Sequence, residues 1–305
     1  MYIKFLLSMT LLFCSTLTVA ATGKLLATPG VSQVEGSAGG GLVPWAQLAG
    51  YASEDEWAVN GFCSRADVTD YRLDACGVQL NLFNRVELSY AVQQFDVPAL
   101  NTEIEQSISG AKIRLYGDIV YSKWPQLSMG VQHKSLDDGT VAKLVGAKNT
   151  SGTDVYLAAS KLHLGALAGY NWFWNVTTRY SKANQLGLLG YGGANEGSHI
   201  LLEASSAVFV SRELAIGIEY RQKANNLGLG EQDWRDLFIA WMPNKHVSVT
   251  AAYLDLGRIA GVDKQTGWYL SVTRHHIAAL GVFAIGILGK QRQLRIAAYQ
   301  GQGDC

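Results

Sequence analysis

The chain has 305 residues, with 25 basic and 25 acidic side chains and thus no formal net charge, which excludes a strong electrostatic grip on nucleic acid or on acidic lipid. Charged residues make up 16%, below the roughly 25% of soluble domains, whereas glycine is abundant (33) and proline scarce (5). That balance suits a surface wrapped in lipid, although a glycine-rich secreted domain of the lectin type shares it, so the strand pattern has to decide.

Residues 1–20 read as a secretory signal. Lys4 supplies a minimal positive start, 6–12 is a short apolar run, and Thr18-Val19-Ala20 before Ala21 is a small-residue cleavage site. The run is too short for a spanning helix. Bulky Phe13 before Cys14 argues against a lipid-attachment box, so the exported chain is expected to start near Ala21. Residues 21–50 form a glycine-rich segment containing Gly36, Gly39, Gly40 and Gly41. Pro44 argues against a central ladder position there. The segment is compatible with a plug in a lumen, a cover over the periplasmic mouth, or a mobile tail.

From residue 51 onward, short segments alternate apolar and polar residues with the period of two that marks strands. Val86, Leu88, Tyr90 and Val92 point one way, and Glu87, Ser89, Ala91 and Gln93 the other. Twelve strands are predicted, at 56–64, 71–82, 85–95, 105–118, 125–134, 152–161, 171–182, 198–208, 213–223, 233–242, 246–254 and 266–272. Short connections (83–84, 121–124, 162–170, 209–212, 243–245) are expected to alternate with longer ones (66–70, 96–104, 135–151, 183–197, 224–232, 255–265). Short periplasmic turns, longer extracellular loops and an even strand number are the signature of an all-β, transmembrane antiparallel outer-membrane β-barrel, here placed at 51–272. Closure follows from physics, since an open sheet in hydrocarbon leaves two unpaired edges. Cys63 and Cys76 flank 67–70 and fall opposite one another if a hairpin is centred there; export permits a disulfide.

Lipid-facing candidates are Val86/Leu88/Tyr90/Val92, Ala111/Ile113/Leu115, Leu127/Met129/Val131, Leu214/Ile216/Ile218/Tyr220 and Val247/Val249/Ala251/Tyr253. The opposite, lumen-lining set is Glu87, Lys112, Arg114, Arg179, Glu203, Glu219 and Arg235. Aromatic residues near strand ends (Trp57, Tyr121, Trp124, Trp172, Trp174, Trp234, Trp241 and Trp268) fit interfacial girdles, where an amphipathic ring meets the headgroups.

Gly23-Lys24-Leu25-Leu26-Ala27-Thr28-Pro29-Gly30-Val31 and Glu35-Gly36-Ser37-Ala38-Gly39-Gly40-Gly41-Leu42-Val43-Pro44-Trp45 resemble the DUF3034 family of proteobacterial exported proteins of unknown function. The likeness continues through Gly61-Phe62-Cys63 and Asp74-Ala75-Cys76-Gly77-Val78 to Lys264-Gln265-Thr266-Gly267-Trp268-Tyr269-Leu270-Ser271. The resemblance implies an envelope location and a barrel, and carries no catalytic residues. The end departs from the barrel pattern. After Val272, the apolar run 277–288 lacks polar alternation and a polar stretch leads to Cys305, so 273–305 reads as an atypical tail.

Chemistry-bearing residues are sparse. His133 and Ser135 are two apart on one strand, a weak arrangement for a lipid hydrolase, because a base must reach its nucleophile and be oriented by a third group. His163, His199 and His246 lack metal-ligand spacing. Asp137-Asp138-Gly139 lacks the continuation of a calcium loop, and the stretch from Gly187 to Gly193 reads as a flexible extracellular loop. No cofactor, metal site or nucleic-acid partner is expected. The expected partners are outer-membrane lipid, the barrel-assembly machinery and an unnamed small solute. The reading is a narrow, non-enzymatic channel in the outer membrane of a Gram-negative bacterium. The alternatives are a non-conducting binding protein acting through loops 135–151 and 183–197, and a lipid hydrolase using His133 and Ser135.

Overall fold

The computed structural model describes residues 24–194 and 197–279. Within the N-terminal segment, β1 (Val31–Ser32) and β2 (Ala38–Gly39) form a two-residue antiparallel ladder. Twelve strands follow: β3 (Glu56–Val68), β4 (Arg72–Leu82), β5 (Val86–Val97), β6 (Thr102–Tyr116), β7 (Gln126–Leu136), β8 (Ser151–Leu167), β9 (Tyr170–Ser181), β10 (His199–Phe209), β11 (Leu214–Arg221), β12 (Trp234–Asn244), β13 (Val247–Asp255) and β14 (Thr266–Ala279). Each pairs antiparallel with the next. The sheet closes where β14 pairs with β3, from Gly267↔Val68 to Ala279↔Glu56. The predicted all-β barrel and its twelve strands are what the chain forms.

The faces are sorted as the alternation requires. Leu88, Tyr90, Ile113, Met129, Ile218 and Tyr253 are exposed on the outside, while Glu87, Lys112, Ser128, Glu203 and Glu219 are buried within. An apolar exterior over a ladder without free edges is the arrangement that lets strands cross hydrocarbon. Residues 27–52 run through the interior and are buried throughout, so the glycine-rich segment is a plug.

Several predicted boundaries shift. The last strand continues past 272 to Ala279, because β3 begins at Glu56 and its donors need partners along their whole length. Ser271, Thr273 and His275 keep the inward phase there. Residues 280–305, which hold the rest of the expected tail, lie outside the described residues, as do 1–23. The connections do not alternate strictly. Those at 69–71 and 98–101 are short, whereas the turn at 117–125 is longer than expected. The loop predicted to be flexible folds back into the barrel mouth instead. Leu186, Leu188, Leu189 and Tyr191 are buried there, and Tyr191 bridges to Asn149 and Ala183. Its leucines have apolar surface to bury, and Gly187, Gly190 and Gly192, all at positive φ, supply the bends.

Cys63 and Cys76 are register partners on β3 and β4 and are joined by a disulfide. Replacing both by alanine is expected to remove about 2–3 kcal/mol of stability through the freer unfolded chain. The measurement is the urea midpoint followed by gel mobility of the folded barrel. An unchanged midpoint would mean that the hairpin is held by its ladder alone.

Candidate functional site: the plugged lumen

The plug has little secondary structure of its own, so its peptide groups must find partners elsewhere when buried. The inward side chains of the wall supply them. Glu87 on β5 accepts hydrogen bonds from the amides of Ala38 (3.0 Å) and Ala49 (2.8 Å). Beside it, Lys112 on β6 donates to the carbonyls of Ala38 (2.9 Å) and Gln47 (2.8 Å) and pairs with Glu87 at 3.2 Å. Glu219 on β11 accepts from Leu42 N (2.7 Å) and, with Ser205, from the indole of Trp45. Gln79, Gln93 and Asn81 donate to the carbonyls of Gly36, Val34 and Ala49. Thr177 donates to Pro44 O at 2.7 Å, and Ala46 N donates to Ser160.

One plug carboxylate carries the densest charge. Glu35 is fully buried and pairs with Lys134 on β7, Arg179 on β9 (3.3 Å) and Arg221 on β11 (2.8 Å). Behind these cations stand Asp154, 2.7 Å from Lys134, and Glu203, 2.6 Å from Arg179 and 3.4 Å from Arg221. Three cations and three carboxylates therefore balance, but only while Glu35 is in place. In a water-poor interior such a cluster is tolerated because each member is paired.

Of the expected lumen residues, Glu87, Lys112, Arg179 and Glu219 bond the plug, and Glu203 stands behind it against Arg179 and Arg221. Arg114 faces inward at the short-turn end, where it donates to Gly117 O and pairs with Asp118 at 3.5 Å. Arg235 is a correction: it is exposed and pairs in register with outward-facing Tyr220, because the inward phase of β12 belongs to Trp234 and Asp236. Trp234 is accordingly corrected from the girdle to the interior. Trp57, Tyr121, Trp124, Trp172, Trp174 and Trp241 lie toward the short-turn end and Trp268 toward the other. Sequence reasoning missed Lys134, Asp154 and Arg221, although each stands in phase with inward neighbours (Gln132, Ser160, Glu219). It gave Glu35 no role, since nothing in a non-periodic segment marks it.

His133 and Ser135 both lie on the outward phase of β7, and the His133 ring bonds Thr153 at 2.9 Å. Asp138 accepts hydrogen bonds from Thr140, which hold its carboxyl below the usual range and start a helical turn, Thr140–Leu144. Among the described residues no group of three His, Cys, Asp or Glu is placed to hold a metal ion.

At the long-loop end the plug does not fill the barrel. A small apolar cavity of about 40 Å³ lies between Val34 and Leu42 of the plug, Leu73, Phe95 and Trp234 of the wall, and Leu188 and Ile259 of the loops. Next to Trp234, Lys223 pairs with Glu231 at 2.6 Å, yet burial pushes its ammonium down to about 8.

The sequence profile of a family described as "Protein of unknown function (DUF3034)" matches residues 28–273. No curated protein matches the chain. Among solved structures, the chain is similar to the KdgM porin (10% identity, TM-score 0.46, 71% of this chain and 98% of that one). It is also similar to the outer membrane protein Omp33 of Acinetobacter baumannii (8%, TM-score 0.43, 73% and 99%). A third is LpxR from Salmonella typhimurium (11%, TM-score 0.43, 72% and 99%). At such identities and TM-scores these likenesses carry nothing about activity.

Proposed function

The chain belongs to the family described as "Protein of unknown function (DUF3034)", whose description names no activity, and from the geometry of its lumen we propose a gated passage. The barrel resides in the outer membrane of a Gram-negative bacterium, surrounded by lipid and delivered by the barrel-assembly machinery. It passes a small solute when the N-terminal plug moves, without chemistry; His133 and Ser135 are given no catalytic role.

The observation that supports this reading is the polar seam between plug and wall. Most of the hydrogen bonds described above join a wall side chain to a plug peptide group, and water can replace such bonds one by one. A barrel filled only for rigidity needs no separate strand of chain threaded through it; its wall side chains can satisfy each other. With the plug displaced, the exposed wall carries Glu87, Lys112, Lys134, Asp154, Arg179, Glu203, Glu219 and Arg221, a lining compatible with water.

The test is single-channel recording in a planar bilayer. Wild-type protein is expected to be mostly closed, with rare discrete steps. A tether should abolish them: a Cβ built on Gly36 of the plug would lie 3.0 Å from the Cβ of Ala91 on β5, a little under the roughly 3.5–4.5 Å of a disulfide, and because Gly36 sits at φ +97° the reduced double mutant is the control for loosening by the cysteine itself. Oxidised Gly36→Cys/Ala91→Cys protein, in a Cys63→Ala/Cys76→Ala background, should be silent and should regain steps on reduction. Steps that survive the tether would mean a path that does not need the plug to move. Silence of the folded wild-type protein under all conditions would favour a binding role for loops 135–151 and 183–197. Phospholipid hydrolysis lost in Ser135→Ala would replace the reading with an enzyme.

A further inference from the structure

The loop that folds back into the barrel mouth and the plug beneath it meet at a single carbonyl. Between β9 and β10, Gln185 (φ +45°), Leu186 (φ +63°) and Gly187 (φ +100°) follow one another in the left-handed region. Only the glycine adopts it freely; residues with side chains stay there when their surroundings demand it. The demand comes from the Leu186 carbonyl, which accepts from Lys134 Nζ on β7 (3.0 Å) and from Gln106 Nε2 on β6 (3.4 Å).

Both donors also reach the plug. Lys134 donates to the Glu35 carboxylate as well and pairs with Asp154 of the wall at 2.7 Å, so one ammonium serves loop, plug and wall at once. Gln106 donates to Gln93 Oε1 at 2.9 Å, and Gln93 in turn donates to Val34 O of the plug at 2.9 Å. Two chains of contacts therefore run from adjacent plug residues, Val34 and Glu35, to the same oxygen of the loop. Lys134, Gln106, Gln93 and Glu35 are all fully buried, where losing a partner is costly. On its other side the loop is tied to its neighbours. Gln185 Nε2 donates to the Glu231 carboxylate of the loop before β12, whose other oxygen accepts from Ala260 N, before β14, at 2.9 Å.

We propose that the loop is a lid interlocked with the plug: the two open as one cooperative unit, with Lys134 as the latch, so that lifting the loops at the long-loop end unseats the plug. As regulation of the gated passage, the interlock rests on that reading; as a coupling between two segments, it is measured without any conduction. The physics works in both directions. Lifting the lid admits water to the Lys134–Glu35 pair, which is strong in a dry interior and weak in water. Withdrawing Glu35 leaves a dry Lys134 short of countercharge, and opening the lid to water relieves it. Such a coupling is reciprocal by necessity.

The experiment is amide hydrogen exchange of the full chain in lipid nanodiscs, read by mass spectrometry on Glu231→Ala, Glu35→Ala and the double variant. Among the described residues Glu231 bonds the loops and Lys223, not the plug, whereas Glu35 bonds plug and wall, not the loops. Glu231→Ala should speed exchange about tenfold in plug residues 31–45 as well as in the loops, while β3 to β14 keep their protection. Glu35→Ala should speed exchange in 184–192 by a similar factor. In the double variant the effects should fall short of multiplying, because the latch is already released. Gly190→Ala, whose added methyl would lie 2.6 Å from Asn149 O, loosens the lid by a second route and should free the plug in the same way. Acceleration confined to the mutated segment in any single variant, or effects that simply multiply in the double variant, overturns the interlock. Coupled exchange in a barrel that never conducts keeps the interlock and removes the passage. Conductance in a barrel whose lid and plug exchange independently keeps the passage and removes the interlock.

Discussion

Replacing Glu35 by alanine is expected to convert a mostly closed barrel into one that conducts. Glu35 is the plug's one carboxylate in the central cluster, and it meets Lys134, Arg179 and Arg221 from three different strands. Removing one partner of a buried pair costs roughly 3–5 kcal/mol, because the others are left uncompensated. The loss falls on the seated state alone: once the plug is out, the three cations meet water whether or not Glu35 exists. If half of it appears in the seating equilibrium, open probability rises by roughly 10- to 100-fold at about 1.4 kcal/mol per decade. The twelve-stranded ladder does not include Glu35, so the barrel should still migrate as a folded species on unheated gels. Open steps should show little preference between anions and cations, since the lining that carries Lys112, Lys134, Arg179 and Arg221 also carries Glu87, Asp154, Glu203 and Glu219. Glu35→Gln, which keeps the volume, should lie between the two. A folded Glu35→Ala barrel as silent as wild type would show that the cluster is rigid filling, and the gated reading would fall with it.

The division between wall and plug also explains what the sequence made legible. A strand advertises itself, because one face meets lipid and the other does not; Val86, Leu88 and Tyr90 against Glu87 and Gln93 carry that signal within eight residues. Twelve such signals fix the barrel, and their phase points six of the seven expected lumen charges inward. Phase fails at strand ends. The inward register of β12 is set by Trp234 packing into the apolar cavity, so Arg235 faces out, although its charge alone suggests the reverse. The plug has no period to read. Its contacts are long-range, with Glu35 and Arg221 separated by 186 residues, and they are made largely by peptide groups, which every sequence has. For the same reason the loop around Leu188 could be recognised as glycine-rich but not as a lid: what it covers is built from plug and wall together.

A plug that is a separate unit should be removable by a change that touches no charge. Gly39→Ala is expected to do this. A Cβ at Gly39 would lie 2.2 Å from Val43 O and 2.9 Å from the Cα of Pro44. Both obstacles are backbone, so no rotamer change relieves them, and Gly39 is itself held by its ladder partner Val31. Overpacking of this kind costs roughly 1–3 kcal/mol, or more where nothing can yield. The strain is internal to the plug and spreads to the seam through Ala38, whose amide and carbonyl are gripped by Glu87 and Lys112. Gly40→Ala is the informative neighbour, because its added methyl meets the Glu219 carboxylate instead and should loosen the seam through the bonds that carboxylate accepts from Leu42 and Trp45. Amide hydrogen exchange separates the cases. In Gly39→Ala, amides between Val31 and Trp45 should exchange about 10- to 100-fold faster, while those of β3 to β14 keep wild-type protection, because local opening and global unfolding are different events. Equal acceleration across plug and barrel would mean that the two unfold as one core, and a plug that cannot leave without the wall cannot be a gate.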